Sequence, residues 1–270
     1  MPVYAQYYFW LIAASLLCFV LERVRPWRPQ QKVLRRAIGQ DLVWLVFNGH
    51  YLGAILAIGT GRLVHAMNAW LRGQQLPVPE TLALAADMPL WAQLAVFFVL
   101  KDFLEWNIHR MLHIVPWMWE FHKLHHSIEE LDWIGNFRFH WGEVVIYKTL
   151  TYLPLVVLGV DDRVVLIIAV IGTLLQNLNH ANLPIDWGPF RFLLNSAKMH
   201  IWHHDVDLHG RGGQNFGIVL SVWDWIFGTA YWPTEPEGPA RLGFRDMETT
   251  YPRGLLARFV YPFWRPRRGE

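Results

Sequence analysis

The sequence predicts an all-α, integral membrane helical bundle of about four to five spans, two of them a helical hairpin, topped by a helical cap crowded with histidine. Three observations carry this prediction. The 270-residue chain is 53% hydrophobic and only 17% charged, against roughly 25% charged in a soluble domain, and its mean hydropathy is +0.18. Its apolar residues gather in runs, several of about the length that crosses a ~30 Å hydrocarbon core. Its 13 histidines do not follow them: 11 fall between residues 109 and 209. The composition excludes a disordered chain, a collagen-like repeat and a coiled coil. A net charge of +2 gives no sign of a nucleic-acid partner. The single cysteine, Cys18, leaves no disulfide framework, iron–sulfur cluster or thiolate zinc site.

The first run, residues 3–21, holds 19 positions without a charge. It lacks a basic leader and a small-residue cleavage site, so it reads as a retained anchor. Residues 42–61 form the second, broken by Asn48 and His50. Residues 88–100 are apolar up to Lys101 and Asp102, and span only if the helix continues through Phe103, Leu104 and Trp106. Residues 144–160 carry one charge, Lys148, and residues 164–180 carry none. Gly159, Asp161, Asp162 and Arg163 read as a tight turn joining them into the hairpin. The organisation is a single membrane domain over 1–270: spans in 1–100, a first histidine-rich cap segment in 101–143, the hairpin in 144–180, and a second cap segment with an irregular tail in 181–270.

Orientation follows from lysine and arginine placement. Arg23, Arg25, Arg28, Lys32, Arg35 and Arg36 crowd one short loop, which is therefore expected in the cytoplasm. Residues 62–87 then lie outside. Residues 101–143 and everything after His180, including Arg253, Arg258, Arg265, Arg267 and Arg268, return to the cytoplasmic side. Tyr7, Tyr8, Trp10, Trp27, Trp117 and Trp119 fall near expected span ends, where interfacial anchoring and ordinary packing both suit them.

The histidine spacings carry more information than the count. His109 and His113 are i, i+4 and share a helix face. His122, His125 and His126 are i, i+3, i+4, and His200, His203 and His204 repeat that pattern. His140 and His180 stand singly, His50 and His65 lie elsewhere, and His209 precedes a glycine, as suits either a turn residue or a group behind a metal ligand. Pro116 is placed to break the helix between the first two groups and fold them together. Neutral imidazole is the commonest nitrogen ligand of transition metals. At least eight clustered histidines exceed the roughly four that a single zinc takes, so two ions are the economical reading. A nitrogen-rich site without thiolates, beside a membrane, suits non-haem iron and dioxygen chemistry.

At these residues the sequence resembles the fatty acid hydroxylase superfamily, also called the sterol desaturase family. The resemblance rests on His109-Arg110-Met111-Leu112-His113 after Asp102, and on His122-Lys123-Leu124-His125-His126-Ser127. Arg138-Phe139-His140 with Glu143, and Asn179-His180-Ala181-Asn182 with Gly188-Pro189, continue it. His200-Ile201-Trp202-His203-His204, followed by Asn215-Phe216-Gly217 and the stretch from Trp223 to Thr229, completes it. The order covers roughly residues 100–230. Departures from the pattern are Trp141 and the Lys198-Met199 pair, where relatives commonly have proline, and Gln176, where some relatives have a further histidine.

The resemblance implies an integral membrane di-iron oxygenase that hydroxylates a lipid with O2, electrons coming from a separate ferredoxin-like or cytochrome-b5-like protein and its reductase. Desaturation by the same site is the alternative outcome. The implied ligands are His109, His113, His122, His125, His126, His140, His180, His200, His203 and His204. Asp102, Glu143, Asn182, Asn215 and Asp224 are candidates to orient imidazole N–H groups, and Gln176 to bond a ligand or leave a position open. The short chain leans towards a bacterial inner membrane, with the histidines cytoplasmic. A histidine-lined metal transporter is the reading from another class. It calls for ionisable residues near the midplane of the spans, where only His50 and Lys148 lie.

Overall fold

The computed structural model describes residues 6–78, 84–233 and 238–264. Every regular element in these residues is helical. Helix α1 runs Tyr7–Val24 and α2 runs Ile38–Gly73, the latter with a π-helical stretch at Phe47–Leu52. Then follow α3 (Leu90–Ile114), α4 (Pro116–His126), α5 (Trp141–Val157), α6 (Asp162–His180), the short α7 (Ala197–His203) and α8 (Val222–Phe227). Three of them, α1, α2 and α6, are long and apolar enough to cross a membrane. Phe9, Ile12, Leu16 and Val20 of α1, with Val43, Val46, Ile55 and Ile58 of α2, stay exposed, as suits helix faces set against lipid.

The expectation of four to five spans is not matched by that count. Helix α3 continues unbroken through Lys101 and Asp102, as residues 88–100 require if they are to span, but Lys101, Asp102 and Glu105 are buried along it. Helix α5 is 17 residues long with Pro154 inside it. Helix α2 also runs on to Gly73, past the boundary expected at residue 61. Arg265, Arg267 and Arg268 of the basic tail lie outside the described residues.

Local sequence explains the breaks. Val115 is extended (φ −95°, ψ 115°), ends α3 and caps α4, which opens on Pro116, a position where the missing N–H costs nothing. The Asp161 carboxylate caps α6, accepting from Arg163 N at 2.8 Å. The His140 ring caps α5, accepting from Gly142 N at 3.0 Å. Ser196 caps α7 through Met199 N.

Helices α5 and α6 follow one another across the short turn expected of a hairpin, yet they do not pair along their length. Helix α5 packs on α3 and on the second half of α2, whereas α6 packs on α1, α3 and α7. The Tyr7 and Thr173 hydroxyls tie α1 to α6 at 2.7 Å. The basic loop after α1 is folded in rather than loose. Arg35 bonds Asp41 and Asp132 at 2.6 Å each, and Arg138 closes the cluster on Asp41 while donating to Ser127 O at 2.9 Å. Buried charges persist when paired and hydrogen-bonded in this way. The cluster joins the start of α2 to the residue that follows His126.

Candidate metal centre

The break at Pro116 turns α4 back along α3. His109 and His113, one turn apart on α3, thereby meet His122 and His126 of α4. Nε2 of His109 stands 3.2 Å from that of His122, and Nε2 of His113 stands 3.2 Å from that of His126. Helix α7 completes the group, with His203 Nε2 at 3.1 Å from His126 Nε2. The second group forms where α6 ends. His180, its last residue, faces His125 at 3.2 Å and His200 at 3.1 Å, again through Nε2 atoms. His204 joins this group.

The result is two sets of nitrogen donors: His109, His113, His122, His126 and His203, and His125, His180, His200 and His204. Within each set the donor atoms lie within 4.8 Å of one another. His122, His125 and His126 therefore do not act together. The i, i+4 pair serves one set, and His125 turns to the other.

The protons of several rings can be placed from their partners. A carbonyl oxygen only accepts, so His109, His180 and His203 each donate from Nδ1: to Phe216 O at 2.8 Å, Gln176 O at 2.9 Å and Gln214 O at 2.9 Å. Each therefore turns a lone pair outward at Nε2. His122 Nδ1 lies 2.7 Å from Glu143 Oε1. Burial pulls the imidazoles of α3, α4 and α7 well below their usual range, His109 to about 4, and so holds them neutral, the form that binds a metal. Burial also pushes the Glu143 carboxyl well above its usual range. A cation at His122 Nε2 would reverse that balance, favouring the carboxylate and a donated Nδ1–H.

These residues fit two metal ions. Neighbouring donors around an ion bound at about 2.1 Å stand about 3 Å apart at right angles, which matches the Nε2 separations. His204 is buried with neither nitrogen partnered, and His125 and His200 each leave Nδ1 unpartnered. A wholly orphaned buried imidazole carries an uncompensated desolvation cost of about 1–3 kcal/mol. An ion bound by the second set removes that cost at His204.

His140 is not brought to either set. Its Nδ1 caps α5 and its Nε2 donates to Phe259 O at 3.1 Å, so both nitrogens are engaged elsewhere. Of the six residues expected to serve the imidazoles, only Glu143 reaches a ring nitrogen with its side chain. Gln176 acts through its carbonyl. The Asp102 carboxylate accepts from Val219 N, Leu220 N and Trp223 Nε1. Asp224 accepts from Trp106 Nε1, Phe216 N, Gly217 N and Thr229 Oγ1, and so fixes the backbone whose next carbonyl receives His109. Asn215 ties Met199 O to Tyr231, and Asn182 holds the Arg28 backbone. The carbonyls of Gln214 and Phe216 were missed in the sequence, because a backbone acceptor carries no residue signature; the Asn215-Phe216-Gly217 motif was the only pointer. Trp119, a candidate interfacial anchor, packs against His113 and His126 instead, 5.2 Å from each ring centroid.

Two cavities reach the centre. One, of about 140 Å³, lies between α5 and α6 and touches both sets, at His109 and His122 and at His125, His180 and His200. The other, of about 660 Å³, reaches His113, His126 and His203 among Lys123, Asp205 and Arg245.

A family model for fatty acid hydroxylase matches residues 94–229. Among curated proteins, the chain is 31% identical over 182 residues to ornithine lipid hydroxylase OlsE of Rhizobium tropici, covering 67% of this chain and 54% of that one. It is 28% identical over 179 residues to methylsterol monooxygenase 1-2 of Arabidopsis thaliana, covering 65% and 57%. It is 30% identical over 132 residues to human alkylglycerol monooxygenase, covering 49% and 29%. The chain thus spans about half the length of the first two and less of the third. No solved structure matches it.

Proposed function

The chain belongs to the fatty acid hydroxylase family, and from that premise we propose that it is a membrane-bound di-iron, O2-dependent lipid hydroxylase. The observation that carries this reading is the pair of all-nitrogen donor sets, buried except for a half-buried His113, opening onto one cavity beside α6, a helix long and apolar enough to cross a membrane. One ion is assigned to His109, His113, His122, His126 and His203, the other to His125, His180, His200 and His204. Iron held there would activate dioxygen for insertion of one oxygen atom into a C–H bond, drawing electrons from a separate ferredoxin-like or cytochrome-b5-like donor.

The protein's own part is positioning and exclusion. Carbonyls of Gln176, Gln214 and Phe216 fix the tautomers of His180, His203 and His109, and Glu143 orients His122, the role that groups behind a metal ligand commonly play. Phe137 and Phe139 line the cavity beside the rings and keep water from the substrate carbon. The lipid enters from the bilayer between α5 and α6. The basic loop after α1 favours a cytoplasmic face for the histidine cap, in a bacterial inner membrane. A transporter fits less well, since the donor sets sit at helix ends and in the cap rather than at mid-span.

The test is to incubate the purified chain with ferrous iron, a reductant, dioxygen and total bacterial lipid, and to look for lipids heavier by one oxygen. Products that require both iron and dioxygen are expected. Unchanged lipids from protein that carries iron and is reduced would contradict the reading. His203→Ala should lower bound iron, and an unchanged iron content would overturn the ligand assignment.

A further inference from the structure

The cavity between α5 and α6 is not a plain apolar slot. Beside the histidines, its lining carries Lys101, Glu105, Lys148 and Tyr152. Lys101 Nζ pairs with Glu105 Oε1 at 2.6 Å. Both ammonium groups flank the Tyr152 ring, Lys101 at 5.1 Å and Lys148 at 4.8 Å from its centroid. Among the described residues, Lys148 has no carboxylate within ion-pair distance, and it keeps exposed surface. Asp102 offers no help, because its oxygens are taken by Val219 N, Leu220 N and Trp223 Nε1. Glu143 bonds His122 through Oε1 and makes no ion pair with Lys148. This wall therefore holds two cations against one ion-paired carboxylate, Glu105, which Lys101 takes. A cation held by one aromatic ring and by no carboxylate of its own keeps its capacity for a charge-assisted hydrogen bond to an anion. Lys148 lies five residues after Glu143 on the same helix, about 7.5 Å along its axis, so the unmatched charge stands close to the donor sets.

We propose that Lys148 receives an acidic oxyanion, a carboxylate or phosphate, borne by the lipid that occupies this cavity, and so selects acidic over neutral lipids. This rests on the reading of the cavity as the lipid site of a hydroxylase. The acidic group completes the charge pairing of the wall, and its chain extends past the histidines.

The experiment measures displacement of a fluorescent acyl probe from the full chain in detergent, with bound iron measured on the same sample. The competitors are palmitate, phosphatidate, methyl palmitate, and acetate or inorganic phosphate without a chain. Palmitate or phosphatidate should bind at least about tenfold more tightly than methyl palmitate, the range of a charge-assisted hydrogen bond, and the chainless anions should not compete. Which acid competes better identifies the head group. Lys148→Met should remove the preference while leaving methyl palmitate affinity in place, and Lys148→Arg should keep it. Equal binding of acid and ester by the unaltered chain overturns the proposal, and this comparison needs no variant to fold. A preference that survives in Lys148→Met overturns it as well. Protein that holds iron but ignores the acid sinks only the Lys148 assignment; protein that prefers the acid but takes no iron sinks only the hydroxylase reading.

Discussion

Among the described residues, Glu143 is the one acidic side chain bonded to a donor-set imidazole; it is one of six candidates in the sequence, and only the placing of α4 beside α5 singles it out. Its Oε1 lies 2.7 Å from His122 Nδ1 while its Oε2 is buried without a partner. Glu143→Gln should lower metal affinity about 10- to 100-fold, the usual cost of losing a group behind a ligand, read by titration with a chelator. His140→Ala, whose ring caps a helix, should leave the affinity unchanged. The imidazoles themselves set an acid limit on the metal-free protein. Burial brings His109 and His140 each to about 4, against about 6.5 in an unfolded chain. Between those values the unfolded state binds more protons, so their contribution to stability is whole above pH 6.5 and is lost as pH falls towards 4. Glu143, Asp102 and Asp224, all shifted upward by burial, act in the opposite sense, but the imidazoles outnumber them. The unfolding midpoint of metal-free protein should therefore fall steadily from pH 7 to pH 4, and a midpoint that is level across that window would contradict this picture. At this scale the donor histidines were legible because i, i+3 and i, i+4 spacings are a property of the chain. The carbonyls of Gln214 and Phe216 were not, because any residue supplies one.

Helix breaks were legible for the same reason. Pro116 between two histidine groups can hardly do other than turn α4 back on α3, and it does. The hairpin was legible only in part. Two apolar runs around a short turn foretell two helices, but not that α5 prefers α3 while α6 prefers α1, because an apolar face does not name its partner. That divergence opens the cavity. The basic loop has a second role. Read as a topology signal, it also hides a structural arginine: Arg35 is buried against Asp41 and Asp132, and Arg138 meets the same Asp41. Asp41→Asn should leave two buried guanidinium groups short of charge and cost about 3–5 kcal/mol, measured as a lower unfolding midpoint in detergent with bound metal present. A midpoint within a degree or two of the unaltered chain would mean that the cluster does not hold α2 to the cap.

For the whole molecule, the low charge content resolves into two populations. Apolar side chains of α1 and α2 face outward, while the Arg35–Asp41–Asp132–Arg138 cluster and the donor imidazoles are turned inward, His113 being half-buried, and Lys148 stands on the cavity wall without a carboxylate of its own. Among the described residues, length and apolar composition single out three helices as able to cross a membrane; α3 and α5 mix apolar turns with Lys101, Asp102, Glu105 and Lys148 and line the cavity at the centre. The central claim is that nine imidazoles divide five and four around two ions. The most direct measurement is metal analysis of the purified chain beside His126→Ala, from the first set, and His204→Ala, from the second. The account predicts about two irons per chain, with each variant losing metal from its own set. One iron per chain in the unaltered protein, or His204→Ala retaining the full complement, would contradict it.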